Sequence, residues 1–396
     1  MNFYSDPAFF ICLAVALIPA LCLGLAGRAS KIYGFIVSVV FLVALFCRDL
    51  QGALFFGIFL VVSCACGFAT LRLFQKEHPY RVGLFRVLLV VALIPLASAK
   101  ITPLFGTNIL GFLGISYLTF KSVQVMIEIR DGLIKEMSFF DYLYFLLFFP
   151  VFTSGPIMRS RDFMAQISQR PTHDEYVDLL AKGLGWFVRG VLYSFVLGAF
   201  FNWLQWFAPA GIGTHNAGEV VLGQLAQGGC YGLYLFFDFA GYSLMAMGVG
   251  AVLGIKVPAN FRAPFLAVDI KDFWDRWHIT LSYWLRDYVF MRLTRTFMKR
   301  KVFKSRLTTS CTAFVCNMGV MGVWHGLTVD YIVYGFYHGL LLAACEAWQK
   351  KSKFYKKHRK DTWYKVVSWA VTMVAVFVGF ALFSGQITTG IMGLMG

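Results

Sequence analysis

Long apolar stretches separated by short polar connections run along almost the whole chain. Stretches long enough to form membrane-crossing helices lie at 7–26, 31–47, 52–74, 82–99, 104–127, 139–158, 180–207, 219–254, 308–324, 329–348 and 364–390. A helix of about 20 residues crosses the hydrocarbon core of a bilayer. Because that core holds no water, each stretch must pair its backbone groups internally. The pattern therefore predicts an all-α polytopic membrane protein with roughly 11 spans.

Two stretches depart from this pattern of span and short connection. Residues 159–178 are polar and amphipathic, which is typical of a surface segment. Residues 256–304 are too long for a loop and too charged to face lipid, and they contain Trp274, Trp277 and Trp284. Dense aromatic residues among charges indicate interfacial or re-entrant helices that pack inside the protein.

The ends of the predicted spans indicate an orientation. Asp6 is the only charged residue before Arg28, so the start of the chain lacks the positive region of a removed signal peptide, and 7–24 is predicted to be a retained span. Arg28 and Lys31 mark the first connection as cytoplasmic by the positive-inside rule. The N-terminus is therefore expected outside the cell, with 256–306 and 350–365 near the cytoplasmic face.

The composition strengthens the membrane interpretation. Of the 396 residues, 59% are hydrophobic and only 14% are charged, whereas a soluble domain carries about 25% charged residues. None of the nine cysteines forms a CxxC pair, and most lie inside apolar stretches. We interpret them as small buried hydrophobic residues.

The net charge of +16 is concentrated in two short segments. Residues 291–306 hold seven Lys or Arg and no acid, and residues 349–365 hold eight and one acid. Both segments lie beside apolar spans, which argues against a nucleic-acid surface. Positive-inside topology explains them, and so does a docking surface for an acidic protein or an anionic lipid.

His325 is the first candidate for chemistry, because it lies at the end of an apolar stretch within GVWHG. Ionisable groups in a membrane protein are costly and usually face the interior of the bundle. An imidazole titrates near neutral pH and can act as a general base. A core histidine that is hydrogen-bonded to a carbonyl fits its position equally well.

Three further candidates lie outside that stretch. His278 follows Asp-Arg-Trp and precedes Ser282 by about one helical turn, so this segment could bind a polar substrate or be an interfacial helix with paired charges. Asp238, within FFDFAGYS, needs a partner in so apolar a stretch; Tyr242 lies one turn away, and an Arg or His from another segment could supply the rest. That pair is either functional or part of a buried structural network, and His338 is expected to be structural only.

Several catalytic motifs are missing from the sequence. It contains no P-loop, no HExxH and no GxSxG elbow. No carboxylate triad accompanies the histidines, and we expect no metal site.

Two motifs carry a resemblance to a known family. RWHITLSYWLRDYVF together with GVWHG resembles the membrane-bound O-acyltransferase family. FLGISYLTFKSVQ, FFPVFTSGPI, FFDFAGYS and WQKKSKFYKKHRKDTWYKVVSW extend the resemblance over most of the chain, towards the branch that acts in teichoic acid D-alanylation. Leu244 follows GYS where the alginate-acetylating branch often has an acidic or amide residue.

This resemblance implies an architecture and a reaction. One membrane domain would cover 1–396, with N-terminal helices in 1–130, a core with the active-site segments in 131–326 and C-terminal helices in 327–396. Its helices would form a ring around a thin core that is crossed by a tunnel. D-Alanine would arrive as a thioester on the phosphopantetheine arm of an acidic cytoplasmic carrier protein and leave towards lipoteichoic acid. The chain itself would bind no cofactor, and accessory membrane proteins of teichoic acid D-alanylation would be partners in the bacterial cell membrane.

The resemblance also assigns roles to residues. His325 would be the catalytic histidine and His278 a second active-site position. Residues expected to support the tunnel are Asp238, Tyr242, Trp274, Ser282 and Trp324. Residues expected to dock the carrier are Met291, Arg292, Arg295, Met298, Lys299 and Arg306, with Phe297 adding apolar contact.

Two other functions remain open from the sequence. The same family chemistry could serve an O-acetyltransferase of a surface polysaccharide, which differs in its donor. A transporter of an acylated intermediate would use the histidines and Asp238 as pathway residues without acyl transfer. Whether lipoteichoic acid or an accessory protein is the direct acceptor also remains open.

Overall fold

The computed structural model describes residues 3–28, 30–169, 171–207 and 217–385. Within these ranges the regular structure is helical and contains no strand. The α-helices are α1 (Pro7–Leu25), α2 (Lys31–Phe46), α3 (Leu50–Gln75), α4 (Arg81–Ile101), α5 (Ile115–Arg130), α6 (Phe139–Leu147), α7 (Ser160–Ser168), α8 (His173–Val191), α9 (Ala199–Phe207), α10 (Ala217–Val252), α11 (Ile270–Trp274), α12 (Ile279–Leu285), α13 (Met291–Lys299), α14 (Arg306–His325), α15 (Val329–Lys351), α16 (Lys353–His358) and α17 (Thr362–Phe383).

Several of these helices have the length and composition of membrane spans. In the described part of the chain they number seven: Pro7–Leu25, Leu50–Gln75, Arg81–Phe105, His173–Phe207, Leu222–Val252, Arg306–His325 and Thr362–Phe383. The prediction of an all-α polytopic membrane protein is therefore confirmed. The predicted count of eleven spans is not confirmed, and neither is a tunnel through the molecule.

Local breaks explain why some predicted spans are not single long helices. The stretch 139–158 was expected to cross as one helix, but α6 ends at Leu147 and a short 3₁₀ turn, Phe149–Val151, follows. Pro150 in that turn has no backbone N–H to donate to a preceding carbonyl, which disfavours continuation of the helix. Helix α2 has 16 residues, or about 24 Å of length, less than the ~30 Å hydrocarbon core. The last five positions of the predicted span 364–390 lie outside the described residues.

The two atypical stretches form short helices. Helix α7 covers the first part of 159–178 and buries Ser160 and Phe163, while most of its other side chains are partly or fully exposed. The stretch 256–304 contains α11, α12 and α13, and a π-helical segment, Arg286–Phe290, joins the last two. Helix α11 is short, whereas α12, the π-helical segment and α13 follow one another without a break from Ile279 to Lys299. Among the described residues, no part of this stretch has the length and composition of a membrane span.

The first of two compact units comprises Met1–Gly190 and Tyr242–Ala259. Its core is rich in phenylalanine, and the rings of Phe41 and Phe149 stack with their centroids 4.5 Å apart. Lys121 is fully buried there and donates from Nζ to the carbonyl oxygen of Phe145 at 2.9 Å. Such a bond satisfies an ammonium group that could not be buried alone.

The second unit comprises Val191–Gly241 and Asn260–Gly396 and contains both candidate histidines. Helices α14 and α15 pack closely where Gly322 faces Gly335. A Cβ atom on Gly322 would lie 2.4 Å from the carbonyl oxygen of Tyr331, so only glycine fits this contact. Small residues allow this close approach of helix backbones in membrane proteins. The predicted single domain of 1–396 and its three subdivisions stay predictions.

Candidate active site

Helix α14 carries His325 at its C-terminal end. The helix begins where the hydroxyl oxygen of Ser305 accepts from the backbone N–H of Leu307 at 3.2 Å, and it ends as Gly326 adopts extended backbone. A Cβ atom on Gly326 would lie 2.5 Å from a ring carbon of Tyr331. The glycine of the Trp-His-Gly sequence is therefore required by close packing beside the histidine.

His325 is half-buried among aromatic rings of the second unit. Its ring centroid lies 4.6 Å from Trp324 and 5.0 Å from Phe383. Tyr331 and Tyr334 of α15 lie at 6.0 and 6.3 Å. Trp324 was among the predicted supporting residues, whereas the other three rings were missed. They come from α15 and α17, and no motif in the sequence links them to His325.

His278 occupies an unusual backbone position directly before α12. Its φ of 43° and ψ of 50° are left-handed, which costs a residue other than glycine about 1–3 kcal/mol. Its side chain is buried, and its ring contacts that of Phe239 edge-on with centroids 4.7 Å apart. Ser282 supports the turn, because its N–H donates to the carbonyl oxygen of His278 at 3.0 Å and its hydroxyl donates to that of Trp277 at 3.1 Å.

Asn260 holds this turn from a distant part of the sequence. The N–H of Ile279 donates to its backbone carbonyl at 2.8 Å, and the hydroxyl of Thr280 donates to its side-chain oxygen at 2.6 Å. Both Asn260 and Thr280 are buried. These bonds stabilise the left-handed backbone turn at His278. Sequence reasoning missed Asn260 because no motif connects it to His278.

The two imidazoles influence each other electrostatically. His278 lies in the connection between the spans Leu222–Val252 and Arg306–His325. Burial, and to a smaller extent a positive charge on His325, together lower its pKa to about 3. His278 is therefore neutral at physiological pH, and the fold brings it within electrostatic range of His325.

A cavity of about 290 Å³ lies beside this segment in the second unit. Its lining combines aromatic and polar side chains, among them Lys271, Trp274, Asp275, Ser282, Arg286 and Asn317. Burial raises the pKa of Asp275, although Arg286 opposes the shift. Trp274 donates from its indole nitrogen to Nδ1 of His338 at 3.4 Å. The predicted supporting residues Trp274 and Ser282 thus share one cavity wall.

Asp238 and Tyr242 have separate partners. The carboxylate of Asp238 accepts from the hydroxyl of Ser194 at 3.2 Å. The hydroxyl of Tyr242 lies 2.9 Å from that of Thr153 and accepts from the N–H of Ser154 at 3.2 Å. The partner that the structure shows for Asp238 is thus Ser194, not the Tyr242 expected one turn away. The proposed functional role of Asp238 and Tyr242 stays a prediction.

Helix α13 carries most of the predicted docking residues. Met291, Arg295 and Met298 are exposed, and their spacing places them on one face of the helix. Lys299 and Arg306 are also exposed. Arg292 differs, because it is only partly exposed and its guanidinium lies 5.7 Å from the ring centroid of Tyr288. Phe297 likewise turns inward and packs against Phe303 at 5.6 Å.

The side chains that could ligate a metal ion are His, Cys, Asp and Glu. In the part of the chain that the structure describes, no group of three or more His, Cys, Asp or Glu side chains is arranged to hold a metal ion. The expectation that the chain binds no metal stays a prediction.

Comparison with known proteins places this geometry in context. Residues 41–384 match the family model described as MBOAT, membrane-bound O-acyltransferase family. The chain is 40% identical to the teichoic acid D-alanyltransferase of Bacillus subtilis (strain 168), over 98% of both chains, and 37% identical to that of Streptococcus thermophilus, over 96% of this chain and 94% of the relative. It is 31% identical to the probable alginate O-acetylase AlgI of Pseudomonas syringae pv. tomato, over 74% of this chain and 52% of the relative. The chain that holds His278 and His325 in this arrangement therefore belongs to the membrane-bound O-acyltransferase family.

Proposed function

We propose that this chain transfers D-alanine from the phosphopantetheine thioester of an acidic cytoplasmic carrier protein towards lipoteichoic acid. It would act as a multi-pass protein of a bacterial cell membrane. The observation that carries the proposal is that a buried His278 precedes Ser282, which lines a cavity with Trp274, in the same unit that holds His325. The similarity to teichoic acid D-alanyltransferases over nearly the whole chain supports the choice of acyl group.

His325 is the proposed general base. It takes the proton from the acceptor hydroxyl as that oxygen attacks the carbonyl carbon of the D-alanyl thioester. An ester C–O bond forms, the C–S bond breaks, and the thiolate of the arm leaves and takes up the proton. A positioned base contributes about 10²- to 10⁴-fold to such a step. The aromatic rings around His325 limit the access of water, which would otherwise hydrolyse the thioester.

His278 suits a different role, because burial keeps it neutral. A neutral imidazole can donate one hydrogen bond and accept another. In the proposed reaction it orients the acceptor hydroxyl or donates to the oxyanion that develops on the alanyl carbonyl. Asn260 and Ser282 fix the turn that carries this ring and act as positioning residues.

The cavity beside His278 is the proposed channel for the arm of the donor. A phosphopantetheine arm is slender and has two amide groups along an otherwise flexible chain. The side chains of Ser282 and Asn317 offer hydrogen-bonding groups to such amides, and Trp274 offers an apolar wall. The chain contributes the channel, and the carrier contributes the arm.

The exposed face of α13 is the proposed docking site for the carrier. Met291 and Met298 supply apolar contact, while Arg295 and Lys299 attract an acidic partner. By the positive-inside rule, this basic segment would lie in the cytoplasm and the N-terminus outside. The donor would then enter from the cytoplasmic side.

Reconstituted vesicles test the donor and the reaction together. Vesicles that contain the protein would receive carrier loaded with labelled D-alanine, with lipoteichoic acid as the acceptor. Transfer of label to lipoteichoic acid is expected from the D-alanyl carrier and not from an acetyl donor. Transfer from the acetyl donor alone would favour the polysaccharide O-acetyltransferase. Passage of an intact acylated intermediate without ester formation would favour the transporter.

A further inference from the structure

A groove between α15, α16 and α17 lies apart from the histidines and plays no part in the proposed reaction. Its volume is about 460 Å³. Leu341, Ala344 and Trp348 of α15 line one side, and Val367 and Val371 of α17 line the other. Trp348, Val367 and Val371 are each about half exposed or more, with fractions of 49%, 53% and 65%. The groove therefore presents an apolar, partly exposed surface along α17, which has the length and composition of a membrane span.

The polar groups along this groove are already bonded within the protein. The hydroxyl of Ser368 donates to the carbonyl oxygen of Val268, and the hydroxyl of Thr372 donates to that of Ser368 at 2.8 Å. The indole nitrogen of Trp348 donates to the hydroxyl of Tyr364 at 3.1 Å. The walls therefore present mainly carbon to an occupant, which suits an acyl chain.

The mouth of the groove is basic. Arg359 and Lys365 line it, and both are exposed. They belong to the segment 349–365, in which eight basic residues accompany a single acid. That acid, Asp361, pairs with His358 at 2.7 Å. Among the described residues, neither Arg359 nor Lys365 has an acidic partner within ion-pair distance.

Nearby acids are engaged elsewhere. Glu346 pairs with Lys271, and with Lys350 at 3.5 Å. Asp269 lines the groove, but one carboxylate oxygen accepts two N–H bonds at the start of α11 and the other accepts from the side chain of Gln349 at 3.0 Å. The two cations at the mouth thus remain available to an external anion.

We propose that this groove binds an anionic phospholipid of the cytoplasmic leaflet. One acyl chain lies between α15 and α17, and the headgroup phosphate lies against Arg359 and Lys365. Basic pockets between membrane helices on the cytoplasmic side bind anionic headgroups. The apolar walls favour a lipid over a soluble phosphate compound, because only a lipid would cover them. This inference does not depend on the identity of the transferred acyl group.

Native mass spectrometry of the full chain in detergent tests the proposal. The protein would be titrated with phosphatidylglycerol or with phosphatidylcholine of the same acyl chains. We expect the first phosphatidylglycerol to bind about thirtyfold more tightly than phosphatidylcholine, since two basic residues attract its anionic headgroup. The double substitution Arg359→Gln and Lys365→Gln should remove this preference. Ala344→Trp, which fills the groove, should weaken the binding of both lipids.

Matched controls separate this site from general surface charge. Lys353→Gln with Lys357→Gln removes two exposed cations of the same segment that do not line the groove, and should leave the preference unchanged. Leu340→Trp places the same bulk on an exposed position of α15 outside the groove and should leave binding unchanged. The proposal is overturned if the preference for phosphatidylglycerol survives the double substitution of Arg359 and Lys365. It is also overturned if either control variant loses as much lipid binding as the groove variant it is matched to. A thermal melt of each variant verifies that it is folded.

Discussion

Thr280, two residues beyond His278, donates a hydrogen bond from its hydroxyl to the side-chain oxygen of Asn260 at 2.6 Å. Both residues are buried, so the bond is shielded from competing water. It joins the start of α12 to the loop before α11 and holds the left-handed turn in place. The proposed role of His278 therefore depends on two residues that do not need to touch the substrate.

Removing this hydroxyl should lower the transfer rate without weakening donor binding. Thr280→Val keeps the shape of the side chain but leaves the amide of Asn260 without its donor, which costs about 1–3 kcal/mol. We expect the transfer rate from the D-alanyl carrier to fall about tenfold, with little change in the carrier concentration that gives half-maximal rate. Thr280→Ser restores the hydroxyl and should restore most of the rate. A Thr280→Val variant that transfers D-alanine at the wild-type rate would contradict the positioning role of this hydroxyl.

The buried His278 should make stability depend on pH. Burial holds its folded-state pKa near 3, below the ordinary value of 6.5. The unfolded chain therefore binds a proton below about pH 6.5 that the folded protein does not bind until about pH 3. The stability contributed by neutral His278 is present above pH 6.5 and is lost as the pH falls towards 3.

Melting temperatures in detergent between pH 4 and pH 8 measure this effect. The wild type should lose more stability on acidification than His278→Gln, which has no titrating ring at that position. His173→Gln is the matched control, because His173 is exposed. If the melting temperatures of the wild type and His278→Gln depend on pH in the same way, the burial of a neutral His278 is contradicted.

Charge reversal on α13 should impair carrier use in a salt-dependent way. Arg295→Glu with Lys299→Glu places repulsive charges on the face that carries Met291 and Met298. We expect the carrier concentration at half-maximal rate to rise at least tenfold at low salt. The difference from the wild type in this concentration should become smaller as added salt screens the charges. Lys356→Glu with Lys357→Glu makes the same charge change on α16 and should have little effect. An equal rise in the half-maximal carrier concentration in both double variants would contradict a docking face on α13.

Adding a methyl group beside His325 should damage the site. In Gly326→Ala the new Cβ would lie 2.5 Å from the ring of Tyr331, so the ring or the helix end must move. Overpacking of this kind costs about 1–3 kcal/mol, and both melting temperature and transfer rate should fall. Gly319→Ala on the same helix meets only Phe336, at 3.6 Å, and should be tolerated. A Gly326→Ala variant with wild-type activity would show that this packing does not matter to the reaction.

Features that repeat along the chain could be predicted from the sequence. The apolar stretches 219–254 and 308–324 form α10 and α14 with nearly those bounds. The break at Pro150 was visible as a proline, yet the long apolar stretch around it favoured a single span. Apolar length alone does not show where a helix stops, because it counts side chains and not backbone hydrogen bonds.

Contacts between distant segments could not be predicted. The sequence pointed to His278 and His325, but their place in one compact unit depends on how distant segments of the chain pack. Asn260 and Phe383 reach the two histidines through loop pairing and helix packing, which leave no periodic pattern in the sequence. Tyr242, one turn away, was a candidate partner of Asp238, whereas the structure shows the hydroxyl of Ser194 donating to that carboxylate.

The role of His325 as general base is the central claim. The decisive measurement is the initial rate at which labelled D-alanine moves from the carrier thioester to lipoteichoic acid, in vesicles that hold equal amounts of wild type or His325→Gln. Glutamine keeps the size and polarity of the side chain but cannot accept the proton. We predict a rate at least 100-fold lower, with an unchanged melting temperature and unchanged carrier binding. A His325→Gln variant that transfers D-alanine at a rate close to that of the wild type would contradict the account.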